Sequence, residues 1–372
     1  MKKTLYLFTL VFAGAVIAAL GVGANVSNAA TASAAPTPTP AAMPSGTQPV
    51  ITAAVTPTPL PLNGDEVIKI DTELVNISVR VIDRNNRSIN GLQQGDFKVL
   101  EDGKPQQIDF FSKGEVPTNY GLVIDNSGSM RQQLDKVIEA GKVLIGTNRP
   151  DDETLVIRFV GRDNIEIAQP FTSSKADLND ALDNLYIQGG QTAIIDAVYL
   201  AVENIDQYEK AKGPNDRKRR ALVLVSDGED RNSYYNEKQL FELLKESEVQ
   251  IYVIGFTDDL ASSGGFISKS PQDKAKAFLT RMATETGGKA YFPASPSELP
   301  SLAQEISNEL RTQYSIGYIP SNDARDGTFR SIKVVVNDGP KGEKRIAVTR
   351  AGRTAEGGSP QQMAPKPANA KP

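Results

Sequence analysis

At 372 residues the chain is long enough for two or three folded domains, and its 41 Lys and Arg against 45 Asp and Glu leave a net charge of −4, which offers no basic field for nucleic acid. It contains neither histidine nor cysteine, which excludes a Ser-His-Asp triad, a thiolate nucleophile, disulfides and any imidazole or thiolate zinc site. Any metal this chain holds must be held by oxygen.

The N-terminus reads as an export segment. Lys2 and Lys3 precede an apolar run from Leu5 to about Val22, and Ser27-Asn28-Ala29-Ala30 then offers a small-residue cleavage site. Residues 1–30 are therefore a signal peptide or an uncleaved signal anchor, since a run of about 18 apolar residues is near the lower limit for crossing a bilayer. No cysteine follows the run, so lipidation is excluded. Either way the remainder is expected outside the cytoplasm, as a secreted, periplasmic or cell-envelope protein. Residues 31–63 are Ala, Pro and Thr with few large apolar side chains and carry the repeated steps Thr37-Pro38-Thr39-Pro40 and Thr56-Pro57-Thr58-Pro59. Such a segment cannot bury enough surface to offset its ordering entropy and is expected to be a disordered linker. At about 3 Å per residue it reaches up to roughly 100 Å.

Residues 64–115 are expected to form a small β-sandwich-like module. Val75, Ile77, Val79 and Val81 alternate with Asn76, Ser78 and Arg80, the period of a half-buried strand. Residues 97–100, the dipeptide Asp102-Gly103 and residues 108–110 read as a hairpin with a tight primed turn. No cluster of catalytic residue types falls in this segment, so it is read as a packing or spacer module.

From residue 116 to 312 the pattern changes to alternating strands and helices. Short apolar runs lie at 121–124, 155–159, 221–225, 250–254 and 290–292. Helical patterns follow Leu134, Val137, Ile138 and Ile145, and recur at 175–185, 193–207, 236–246, 274–286 and 297–311. Apolar strands separated by helices imply an α/β fold, a doubly wound and mostly parallel sheet covered on both faces. Residues 313–351 read as three further strands, near 314–319, 331–336 and 345–349. With no helix between them, they either extend the sheet edge or pack back on the β module. Residues 352–372 are expected to be a disordered tail.

The chemistry concentrates where the apolar strands end. Asp125-Asn126-Ser127-Gly128-Ser129 follows the first of them, and ligands of open α/β sheets bind at the carboxyl ends of the strands. The spacing of two puts both serine hydroxyls on one side of the loop, and Gly128 allows the turn. Gly189-Gly190-Gln191-Thr192 precedes a helix, and Ser226-Asp227-Gly228 ends another strand on the same expected edge. Each piece alone also reads as cap and turn chemistry. Together they place three hydroxyls and two carboxylates on one edge. Glu229 and Asp230 follow directly, either as solvated loop charges or as added negative charge for a metal. The loop 258–273, rich in Gly and Ser, leaves a strand on the same edge and is either a specificity surface or an insertion without function.

The set Asp125-x-Ser127-x-Ser129, Thr192 and Asp227 resembles the metal-ion-dependent adhesion site of von Willebrand factor type A domains, with all five positions filled, and the likeness covers roughly residues 119–311. Two flanking stretches resemble a bacterial family of secreted proteins related to such domains. One is Gly91-Leu92 with Asp96-Phe97-Lys98-Val99-Leu100-Glu101-Asp102-Gly103; the other runs from Leu310-Arg311 to Gly317-Tyr318. That family commonly ends in a Gly-Tyr-type motif, where this chain has Gly352-Arg353. The resemblance implies that Ser127 and Ser129 ligate a metal directly, Thr192 directly or through water, and Asp125 and Asp227 largely through waters. A hydroxyl-rich site of this kind suits Mg²⁺, with Mn²⁺ or Ca²⁺ as alternatives. The resemblance further implies a protein partner that supplies an Asp or Glu carboxylate to the ion.

The leading expectation is thus a non-catalytic, secreted or envelope-tethered protein-binding module for adhesion or scaffolding. It makes membrane contact only through an uncleaved anchor. The alternatives are a metal-assisted hydrolase, for which no histidine and no spare acid–base pair is visible, and a structural envelope protein with a stabilising metal. No phosphate-binding glycine motif is present.

Overall fold

The computed structural model describes residues 74–113, 116–212, 218–258, 260 and 270–355. The expectations for residues 1–30 and 31–63, most of the loop 258–273, and the tail beyond 355 lie outside the described residues.

In chain order the strands and helices are β1 (Val75–Ile82), β2 (Phe97–Glu101), β3 (Lys104–Gln106), β4 (Phe110–Ser112), β5 (Thr118–Asp125), α1 (Leu134–Gly146), β6 (Glu153–Phe159), β7 (Ile165–Thr172), α2 (Lys175–Asp183), α3 (Ile194–Lys210), β8 (Arg219–Ser226), α4 (Glu237–Glu246), β9 (Gln250–Gly255), α5 (Pro271–Glu285), β10 (Ala290–Tyr291), α6 (Leu299–Arg311), β11 (Tyr314–Tyr318), β12 (Phe329–Val336), β13 (Ile346–Val348) and β14 (Gly352–Thr354). Among the described residues no helix is long and apolar enough to cross a membrane.

The α/β part is a six-stranded sheet in the order β10-β9-β8-β5-β6-β7. Neighbouring strands are parallel except β7, which returns antiparallel beside β6. Every residue of β5 and of β9 is buried, as strands covered on both faces require. Successive side chains divide between two cores: Leu122 and Ile124 pack with α1, α2 and α6, whereas Val123 packs with α3, α4 and α5. The expected doubly wound α/β sheet is therefore present. The antiparallel β7 was not anticipated: it is a partly exposed edge strand that contains Pro170, and both features weaken a strand signal.

The remaining strands form two four-stranded sheets, β13-β1-β11-β4 and β14-β12-β2-β3, paired antiparallel throughout. Their inner faces meet in one core made of Val75, Ile77, Val79 and Val81 with Val99, Tyr314, Ile316, Tyr318, Ile332 and Val334. Of the two placements open for the C-terminal strands, the structure takes the second: β11 and β13 flank β1, and β12 flanks β2. Asp102 and Gly103 turn the β2–β3 hairpin with φ of 48° and 77°, as a primed turn needs. The return arm is Lys104–Gln106, however, and not residues 108–110, which lead into β4 in the opposite sheet. Of the residues expected in a disordered tail, Gly352–Thr354 instead form β14 and pair with β12.

Candidate metal centre

β5 and β8 run parallel with Ile124 opposite Val225, so Asp125 and Ser226 leave the sheet side by side. Asp125 is completely buried. Ser226 Oγ donates to its Oδ2 at 2.7 Å, and the backbone N–H of Ser127 donates to its Oδ1 at 2.9 Å. The second of these bonds folds the chain back over the strand end, and a 3₁₀ turn, Gly128–Gln132, then leads into α1.

From there the side chains form a row. Ser127 Oγ lies 2.9 Å from Ser129 Oγ, and Ser129 Oγ donates to Asp227 Oδ2 at 2.6 Å. A hydroxyl has one proton, so with Ser129 donating to Asp227 the serine pair is bridged by Ser127 as donor. Asp227 Oδ1 accepts from the N–H of Glu229 at 3.0 Å. Four of the five residues singled out in the sequence thus stand in one hydrogen-bonded row. Thr192, 4% exposed, reaches the same edge through its backbone: its carbonyl accepts from the N–H groups of Arg231 at 2.8 Å and Asn232 at 3.1 Å, both on the loop that leaves Asp227.

Burial disfavours the charged form of Asp125 and the nearby Asp227 carboxylate adds repulsion, so that despite hydrogen bonds from Ser127 and Ser226 its carboxyl is pushed up to about 6. Two carboxylates held across a pair of hydroxyls, one of them buried without a cationic partner, make a donor set that a small hard cation fits. The described residues contain no cluster of three or more Asp or Glu that would form an all-carboxylate cage.

Several residues that build this edge carried little sequence signal. Ser226 lay in the motif, yet its role as the donor that holds Asp125 depends on the β5–β8 register. Asn126 clamps the α2–α3 connection: its N–H donates to the Phe159 carbonyl at 2.8 Å, its carbonyl accepts from Gln188 N–H at 2.9 Å, and its Nδ2 donates to the Tyr186 carbonyl at 3.0 Å. Gly228 is required, because it sits at φ +85° and a Cβ there would stand 2.7 Å from Leu279 Cδ1. Asp230 is not a free loop charge. Its Oδ1 accepts from the Ile195 N–H at 3.1 Å in the first turn of α3 and from Ser233 Oγ at 2.6 Å. Glu229 pairs with Arg231.

Comparison with known proteins adds a family. Residues 121–305 match the family model of the von Willebrand factor type A domain. An uncharacterised protein of Synechocystis sp. (strain ATCC 27184 / PCC 6803 / Kazusa) is 32% identical over 146 residues, which cover 38% of this chain and 33% of that protein. Inter alpha-trypsin inhibitor, heavy chain 4, of Mus musculus is 25% identical over 282 residues, covering 72% of this chain and 26% of that protein. The chain thus spans about a third or less of the length of these curated relatives. Among solved structures, a von Willebrand factor type A protein from Catenulispora acidiphila superposes with a TM-score of 0.42 at 13% identity, covering 76% of this chain and 75% of that one. Proximal thread matrix protein 1 from the mussel byssus, with a zinc-occupied MIDAS motif, also gives 0.42, at 20% identity, covering 53% of this chain and 48% of that one.

Proposed function

Residues 121–305 form a von Willebrand factor type A domain, and from that premise we propose that this chain is a non-catalytic binding protein that engages a carboxylate of a protein partner through a divalent metal ion. Such domains generally mediate protein interactions and adhesion and typically bind a divalent metal. The observation that carries the reading for this chain is the row from Asp125 through Ser127 and Ser129 to Asp227 at the carboxyl edge of the sheet.

Asp125, Ser127, Ser129, Thr192 and Asp227 would hold the ion, with Mg²⁺ the best match to neutral hydroxyls backed by two carboxylates. When bound, the ion supplies an electrophilic coordination position for an incoming carboxylate. The chain's own residues set up that position. Ser226 and the Ser127 amide orient Asp125, the Glu229 amide orients Asp227, and the backbone of 231–232 holds Thr192 at the rim. The remaining nearby carboxylates, Glu229 and Asp230, are engaged by Arg231 and by the N-terminus of α3, which argues against a base for hydrolysis. The charged start and apolar run of residues 1–30 support placement outside the cytoplasm, secreted or tethered at the envelope.

The test is affinity capture from an envelope extract on the immobilised chain in Mg²⁺, with elution by EDTA, repeated with Asp125→Ala. A partner released by EDTA from the parent chain and not retained by the variant is the expected result. Retention that is indifferent to both EDTA and the substitution would overturn the proposal.

A further inference from the structure

The connections that carry Thr192 and Asp227 each also hold an exposed tyrosine in a fixed position. Tyr186 is 53% exposed and Tyr234 45%. The Arg158 guanidinium lies 4.3 Å from the centre of the Tyr186 ring, and Arg158 Nη2 donates to the tyrosine hydroxyl at 2.7 Å. Arg158 is itself held by Glu166 through bonds of 2.9 and 2.7 Å. The Tyr234 ring meets that of Tyr235 edge-on at 5.2 Å and 87°, and Tyr235 stacks on Tyr199 at 3.9 Å and 9°. The Tyr234 N–H donates to Asp196 Oδ2 at 2.7 Å.

The backbone at both tyrosines is tied to the candidate metal-centre edge. The Tyr186 carbonyl is bonded by Asn126, which lies between Asp125 and Ser127, and Tyr234 is two residues beyond Asn232, whose N–H bonds the Thr192 carbonyl. They also stand on different sides of it. Leu185 and Ile187, on either side of Tyr186, pack into the core shared with α1, α2 and α6, whereas Tyr235 packs into the core shared with α3, α4 and α5.

Exposed aromatic side chains ordinarily keep rotamer freedom and lose it on binding. Here each ring already has contacts within the chain that favour its position, which lowers the cost of association, and tyrosine is among the side chains that most often dominate an interface. Resting on the metal-bridged reading above, we propose that Tyr186 and Tyr234 are specificity-determining anchors. The partner they fit is a protein segment that presents one carboxylate with apolar or aromatic side chains on both sides of it.

The experiment selects a phage-displayed library of peptides, each with a fixed central Asp or Glu and randomised flanks, on the full chain in Mg²⁺ and in EDTA. Chosen peptides are then titrated against Tyr186→Ser, Tyr234→Ser and the matching Phe variants, with the Mg²⁺-induced rise in melting temperature as a check that the centre is intact. Mg²⁺-dependent peptides with apolar residues on both flanks are expected. They should bind each Ser variant about tenfold or more weakly and Tyr234→Phe nearly as the parent, with Tyr186→Phe in between because it loses the hydrogen bond from Arg158. Mg²⁺-dependent peptides with unrestricted flanks, or equal binding to the Ser variants, would overturn the anchors and leave the metal-bridged function standing. Ser variants that lose the Mg²⁺ response would also overturn them, since the rings would then be supporting the centre itself. Absence of any Mg²⁺-dependent enrichment would overturn the metal-bridged function and the anchors together.

Discussion

A single residue shows how local charge balance is set away from the metal centre. Glu153, at the start of β6, accepts from the Tyr208 hydroxyl at 2.7 Å, from Lys218 Nζ at 2.9 Å and from Lys212 Nζ. Burial pushes its carboxyl up, but the hydrogen bonds from Lys212, Lys218 and Tyr208 outweigh it and hold the group at about 2. A carboxyl lowered from its ordinary 4.5 binds fewer protons folded than unfolded, so its stabilisation is complete above about 4.5 and is lost as the pH falls towards 2. Glu153→Gln should lower the melting temperature at pH 7 by about 2–6 °C. The gap between variant and parent should hold from pH 8 to 5 and close between 4.5 and 2 in a melting series across pH. A gap independent of pH would assign the effect to packing. The neighbouring Glu229 and Asp230 illustrate the limit of reading charges from sequence: adjacent acids in one loop turned out to have different jobs, one pairing with an arginine and one capping a helix.

At the scale of elements, α6 is the joint between the α/β sheet and the sandwich. Arg80 of β1 reaches Glu309 of α6 at 2.6 Å, and both side chains are 6% exposed. Arg219, at the start of β8, donates to the carbonyls of Leu310 and Gln313, closing the C-terminal end of the same helix. A buried ion pair is costly to break from one side, because the survivor stays desolvated, whereas replacing both partners by apolar side chains is often close to neutral. Glu309 keeps Lys289 at 3.5 Å when Arg80 is removed, so Arg80→Met is expected to destabilise by about 1–3 kcal/mol, and Arg80→Met with Glu309→Leu by distinctly less, in denaturant unfolding. Equal losses for the single and double variants would mean that the pair contributes through packing alone. The helix was legible from its apolar spacing and its partner strand from alternation, but the contact between them joins residues 229 apart in sequence.

On the scale of the whole described region, the α/β domain lies between two halves of the sandwich. The chain leaves β4, enters β5 at Thr118, and returns through α6 to β11. β5 begins at the sheet edge opposite Asp125, and the last turn of α6 is bonded to Arg219 and, through Arg311, to the Thr147 carbonyl at that same opposite edge. The candidate metal centre and the two connections that carry the tyrosines therefore lie at the edge away from the sandwich. A chain ended after Thr312 would lack β11 to β14, leaving β1 without either of its neighbours. Limited proteolysis of that truncated chain should cut rapidly within 74–113 while 118–212, 218–258 and 270–311 stay protected. Protection of both segments would show that the N-terminal strands fold without their C-terminal partners.

Most of the elements, and the residues proposed for the metal centre, were legible in the sequence alone. The absence of His and Cys, the Asp125-x-Ser127-x-Ser129 spacing and the apolar strands bounded by helices are local properties, and local patterns survive folding. The candidate metal-centre row was legible in residue identity because its members lie at a strand end or in the turn just after one, positions with recognisable turn and cap residues. The choices that depend on pairing between distant segments were settled by packing in three dimensions. These are the return of β11, β12 and β13 to the sandwich, the edge strand β7, Ser226 as the donor to Asp125, and the locking of Tyr186 by Arg158 and of Tyr234 by Tyr235. Strand register and side-chain stacking are settled by which surfaces meet in space, and a linear sequence holds no direct record of that.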